Sequence, residues 1–188
     1  MKRIIVGISG ASGAGLGLRF LKALPGELEK YCVISNGAKQ VLLSEEGRKE
    51  YMEFEAIQTK DNKIFILEDN DMGACIASGS FVCEAMAVIP CSQNTLAKIA
   101  CGISDTLITR AASVMIKEQR KLLLSPREMP LSPIVLENML KLSKLRVIMA
   151  PPIVGYYAGG DLESIEHMLI GKWCDSLGIP YKYKRWGE

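Results

Sequence analysis

Short, wholly apolar runs recur along this chain with longer amphipathic stretches between them, and that alternation limits the fold more than any other feature. Runs of strand character lie at Arg3–Ile8, Tyr31–Ser35, Lys63–Leu67, Ala85–Pro90, Lys121–Leu124 and Arg146–Ala150. Helical patterns occupy the intervals near Gly13–Leu24, Ala38–Lys49, Thr95–Cys101, Leu107–Gln119 and Leu131–Leu142, with a last one near Leu162–Leu177. Strands that are apolar throughout, rather than alternating with polar residues, need cover on both faces. The order of elements therefore predicts an α/β fold, a doubly wound and mostly parallel sheet with helices on both sides. At 188 residues, with no linker, repeat or low-complexity tract, the chain reads as one domain, 1–188.

Hydrophobic residues make up 48% of the chain, yet no apolar run reaches the ~18–20 residues of a membrane helix. The surplus is assigned to buried strands and a subunit interface. The N-terminus carries two basic residues, then a brief apolar run broken by glycines, a poor export signal that points to the cytoplasm. Six cysteines without a C-x-x-C pair fit reduced, packed side chains. Net charge is +2, from 23 basic and 21 acidic residues, so no nucleic-acid footprint stands out. A single histidine, His167, would have to centre any catalytic triad or multi-histidine metal site. It lies in a helical stretch, where a packed or solvated histidine is the plainer reading. Chemistry is therefore expected from carboxylates, tyrosine, serine, lysine and arginine, without a metal.

In such sheets ligands sit beyond the carboxyl ends of the strands, and four loops there stand out. The first, G-A-S-G at Gly10–Gly13 and continuing to Gly17, exposes amides at a helix start and suits an anion or a flavin. A tight structural turn explains it too. The spacing is neither a dinucleotide fingerprint nor a P-loop, and Ser35 and Asn36 stand where an acidic ribose partner would end the second strand. The second is P-C-S-Q-N-T, Pro90–Thr95, where Ser92 and Thr95 suit a helix cap with amides pointing outward. Capping alone accounts for them equally well. A-S-G-S at Ala77–Ser80 is another amide-rich turn. In the third, Arg110 and Lys117 share one helix face, as a solvated stripe or as a phosphate site. That helix leads to S-P-R-E-M-P, Ser125–Pro130, with Arg127 beside Glu128. Arginine offers bidentate contacts to phosphate, lysine a point charge, and a glutamate between cations can act as acid or base. The fourth, P-P-I-V-G-Y-Y-A-G-G at Pro151–Gly160, reads as a mobile lid bearing Tyr156 and Tyr157. The tail Y-K-Y-K-R-W-G-E is a flap or a loose end.

Several motifs in order make a more specific pattern: V-G-I-S-G-A-S-G, A-S-G-S-F, P-C-S-x-N-T-L, L-I-T-R-A-A, K-E-x-R-K-L, P-R-E-x-P-L-S, L-E-N-M-L-K-L-S and the closing R-W-G. With them the chain resembles the flavin prenyltransferase (UbiX) family over essentially its full length. The resemblance implies a flavodoxin-like sheet and a homododecamer with active sites at subunit interfaces. It implies bound flavin mononucleotide (FMN), with dimethylallyl monophosphate as prenyl donor and no metal. Reduced FMN would be alkylated at N5 and closed into a fourth ring through C6, the product serving a separate decarboxylase of the ubiquinone or phenolic-acid type. Matched by motif, Gly10, Ala11, Ser12 and Ser35 bind FMN, and Ser92, Gln93, Asn94, Thr95 and Arg127 complete that site. Ser12 and Glu45 fall near the reacting centre. Arg110, Lys117, Glu128 and Tyr157 hold the prenyl phosphate, with Glu128 the acid/base. Lys172 is the nearest match to a phosphate-binding arginine of the family's last helix, and Y-Y-A-G-G lacks the usual histidine or proline after the tyrosine. Two other readings stand beside this one. An FMN-dependent decarboxylase of peptidyl or pantothenoyl cysteine uses a histidine in its N-terminal half, absent here. A non-catalytic flavin carrier would need the flavin loops but not Glu128, Lys117 and Arg110 together.

Overall fold

The computed structural model describes residues 2–56 and 63–187. Strand β1 (Arg3–Ile8) shows why the sheet must be covered twice. Ile4, Val6 and Ile8 pack into one apolar cluster while Ile5 enters another, and all four are nearly inaccessible to water. β2 (Glu29–Ile34), β3 (Ile64–Glu68), β4 (Ala85–Cys91), β5 (Lys121–Pro126) and β6 (Ile148–Met149) join it. Among the described residues these form one wholly parallel sheet in the order β3-β2-β1-β4-β5-β6. The chain winds outward from β1 to β3, then crosses back and winds outward from β4 to β6. The β1/β4 boundary is thus the topological switch point, where such sheets open a ligand crevice.

Helices α1 (Ala14–Ala23), α2 (Asn36–Glu45), α3 (Arg48–Glu55) and α7 (Leu162–Leu177) cover one face. α4 (Gln93–Cys101), α5 (Leu107–Lys117), α6 (Pro133–Lys144) and a 3₁₀ turn, Cys75–Ala77, cover the other. The first core centres on Phe20, Leu21, Leu42 and Trp173, the second on Met86, Leu96, Ile108 and Met115. Each such side chain contributes about 1.5–3 kcal/mol through burial. The Trp173 indole meets Phe20 edge-on at 6.1 Å and donates its N–H to Ala150 O at 3.0 Å, so its one polar atom is satisfied. α1 lies so close to the sheet that a Cβ at Gly17 would fall 2.1 Å from Ile89 O. Only glycine permits that approach.

The strand and helix runs lie where expected, with local corrections. Ser35 does not end β2: it caps α2, its Oγ accepting from the Ala38 N–H at 3.1 Å. The helix expected over Ala38–Lys49 stops at Glu45, because Gly47 at φ 92° breaks it, and α3 follows. α4 starts two residues before Thr95 because Ser92 caps it. α5 ends at Lys117 rather than Gln119, which turns left-handed at φ 53°. Arg146 at φ 65° likewise turns the chain after α6, leaving only Ile148 and Met149 to pair as β6. Among the described residues no helix is long and apolar enough to cross a membrane.

Candidate active site

At the switch point the carboxyl ends of β1, β2 and β4, with those of β3 and β5, surround a cleft of about 620 Å³. That falls within the ~300–1,000 Å³ typical of small-molecule sites. Two loops are stitched together at its floor by Ser9, which is 1% exposed. The Ser9 hydroxyl donates to Pro90 O at 3.0 Å and accepts from the Ser92 N–H at 2.7 Å. The Gly10 loop and the Ser92 loop are thereby held in one register.

Gly10, Ala11 and Ser12 line the cleft beside Ser35, Asn36 and Gly37. A Cβ at Gly10 would lie 3.0–3.1 Å from the Gly37 backbone, so the close approach of the two loops favours a bare backbone at Gly10. Gly13 starts α1 at φ 88° and provides no side-chain cap. Its N–H donates instead to Glu45 Oε2 at 2.8 Å, from the end of α2. Across the cleft, Ser92 Oγ caps α4 by accepting from the Thr95 N–H at 3.2 Å, and Gln93 and Asn94 form the helix's first turn. Helix starts of this kind present amides and a positive dipole to an anion. Arg127 stands exposed at the rim, its N–H joined to Cys91 O at 3.2 Å. Glu128 is half-buried: one carboxylate oxygen accepts from the Gln93 amide and the other from the Met129 N–H. Cys91 lies fully buried below, and burial pushes its thiol far above the usual range, which removes it as a thiolate nucleophile.

A group absent from the sequence expectations also lines the cleft: Asp69, Thr106 and Thr109. Asp69 follows β3 directly. Its backbone carbonyl and carboxylate accept from the first two amides of α5, Leu107 at 2.7 Å and Ile108 at 3.0 Å. Burial raises its carboxyl above the ordinary aspartate range, against the lowering effect of the Ile108 N–H. Position at a strand's carboxyl end was the available signal. It is a faint one, because the residues immediately after β3, Asp69–Met72, carry no glycine and open no α-helix.

The expected phosphate ligands are not gathered in one chain. Arg110 Nε donates to Ala77 O at 2.9 Å and Lys117 pairs with Glu118, close to Gly79, so both face the A-S-G-S turn as their shared helix face implied. Tyr157 packs with the apolar cluster on the opposite face of the sheet, and Lys172 is exposed on α7 of that face. Glu45 reaches the cleft only through Gly13. His167 is exposed and meets Tyr181 edge-on at 5.1 Å, away from the cleft.

Three comparisons bear on this geometry. Residues 1–170 match the family described as flavoprotein. A flavin prenyltransferase UbiX of Helicobacter pylori is 46% identical over 187 residues, covering 98% of each chain. Among solved structures, a UbiX protein in complex with FMN and dimethylallyl pyrophosphate superposes at TM-score 0.90 with 34% identity, covering 100% of this chain and 98% of that one. A dodecameric FMN-dependent UbiX-like decarboxylase from Escherichia coli superposes at 0.88 with 40% identity, covering 99% and 100%.

Proposed function

This chain belongs to the flavin prenyltransferase (UbiX) family of flavoproteins, and we propose that it joins the dimethylallyl group of dimethylallyl monophosphate to N5 and C6 of reduced FMN. The observation that carries the reading is the cleft itself, where bare-backbone loops and helix starts meet Arg127 and Glu128. The flavin, when bound, supplies the nucleophilic nitrogen and ring carbon. Gly10, Ala11, Ser12 and Ser35 would hold it from one side, and Ser92, Gln93, Asn94, Thr95 and Arg127 from the other.

Breaking the allylic C–O bond builds negative charge on the leaving phosphate. Arg110 and Lys117 neutralise it as preorganised cations in place of a metal, and the Tyr157 hydroxyl donates to it. Glu128, fixed by Gln93, would take the proton lost as C6 bonds to one carbon of the prenyl double bond. The other alkene carbon gains a proton by way of the phosphate, which has taken up the proton lost from N5. Arg110 and Lys117 lie across the sheet from Tyr157 and Lys172, so a neighbouring copy must supply one pair. The dodecameric relative supports such an assembly. So do the exposed apolar side chains Met129, Ile134 and Leu140 beside and along α6. The prenylated flavin would then leave for a separate decarboxylase.

The test incubates the protein with reduced FMN and either dimethylallyl monophosphate or the pyrophosphate, then reads flavin mass. Flavin gaining one five-carbon prenyl unit, faster from the monophosphate, is expected. Unchanged FMN with both donors overturns the reading.

A further inference from the structure

Residues beyond α7 form a strap that runs back along the helix. Ile179 and Tyr183 are buried against it, Tyr181 is half-buried, and Lys182 and Lys184 face out. Two features hold this strap in place. The Tyr183 ring lies directly on the backbone of Gly171, where a Cβ would fall 2.2 Å from ring carbons. Asp175, one turn further along α7, receives three hydrogen bonds from the strap. Tyr183 Oη donates to Oδ2 at 2.5 Å, Arg185 NH1 to Oδ2 at 2.6 Å and Arg185 NH2 to Oδ1 at 2.9 Å. The Arg185 guanidinium also sits 4.5 Å from the Tyr183 ring centre. Arginine held at both ends by one carboxylate has little freedom left.

The residue after this clamp is Trp186. It is 81% exposed, and its ring meets Tyr157 edge-on at 5.6 Å. On its other side the Tyr157 ring abuts Gly155, where a Cβ would lie 2.9 Å from it. Tyr157 thus stands between its own loop and the strap, and the strap's position depends on Asp175. An exposed tryptophan gains little from solvent exclusion, so the clamp is what keeps it against Tyr157.

We infer that Asp175 is a positioning residue for use of the prenyl donor: by clamping Arg185 and Tyr183 it seats Trp186 against Tyr157 and so aims the Tyr157 hydroxyl. The inference rests on the reading of Tyr157 as a ligand of the donor phosphate. It gives the tail a role that its polar, aromatic composition alone did not reveal. It also makes Gly171 obligatory, since any side chain there would lift Tyr183 and the clamp with it.

Asp175→Asn keeps the shape but removes the charge. KM for dimethylallyl monophosphate should rise about tenfold, the scale of one charge-assisted hydrogen bond. FMN affinity should stay within about twofold. Trypsin should cut at Lys182, Lys184 and Arg185 faster than in the parent, as read by intact mass. Asp175→Glu should recover part of both effects, and Asp175→Asn combined with Arg185→Gln should be no worse than either alone. Parent KM together with a parent cleavage rate overturns the inference. Equal losses in FMN affinity and donor use overturn it too, because they mark a merely structural residue. Faster cleavage with an unchanged KM would detach the clamp from Tyr157 and sink the positioning role. A parent protein that makes no prenylated flavin refutes the functional reading instead, while cleavage still reports whether Asp175 holds the strap.

Discussion

Replacing Ser9 by alanine isolates the stitch between the two cleft loops. The Ser9 hydroxyl makes two hydrogen bonds, but their loss is not symmetrical. Pro90 O still receives the Ser9 N–H at 3.2 Å, so that acceptor stays satisfied. The Ser92 N–H loses its acceptor at 2.7 Å at a half-buried position at the edge of the cleft. An orphaned donor shielded from water costs about 1–3 kcal/mol, and the missing oxygen leaves too small a space to add a cavity term. For a chain of this length each kcal/mol lowers Tm by about 2–4 °C. The flavin-free protein should therefore melt about 2–12 °C below the parent. Scanning fluorimetry with an FMN titration measures this, and the FMN-induced rise in Tm should shrink because the Ser92 loop no longer sits in register with Gly10. A variant melting within about 1 °C of the parent, with the same response to FMN, would show that water or a shifted loop satisfies Ser92 and that the stitch is dispensable.

Glu128→Gln should leave FMN binding intact and slow turnover by about 10²–10⁴-fold, measured as prenylated flavin formed per unit time; turnover at the parent rate would reduce Glu128 to holding Gln93. Lys117→Ala should weaken use of the prenyl donor far more than FMN binding, separable by steady-state kinetics and flavin titration. Gly17→Ala drives a Cβ against Ile89 O and should cost about 1–3 kcal/mol in urea unfolding despite alanine's better helix propensity. Gly26→Ala, which meets nothing within 4 Å, should cost nothing and stabilise by up to about 1 kcal/mol by the same measurement. Chelation should leave prenyl transfer at the parent rate, and a loss restored by added divalent cation would refute cationic neutralisation by Arg110 and Lys117.

Local residues determine the elements because burial on two faces leaves no other use for runs such as Ile4–Ile8 and Ala85–Ile89. The same is true of the loops at Gly10, Ser35 and Ser92, where caps and bare glycines are written in a few consecutive positions. Boundaries followed finer local chemistry: Gly47 and Gln119 turn left-handed and cut helices that hydrophobic period alone would extend, and the left-handed turn at Arg146 shortens the last strand. Asp69 could not be weighted without the sheet, since its importance comes from α5 being brought to it, with Ile108 39 residues away. The strap clamp is similar, because nothing in Y-K-Y-K-R-W marks Asp175 as its partner. Conversely, Arg110 and Tyr157 belong together by motif yet lie across the sheet within one chain. Sequence order thus determined which chemistry is present. Which side chains meet was decided by strand order and by layer, because contacts between distant segments depend on how the sheet winds rather than on spacing along the chain.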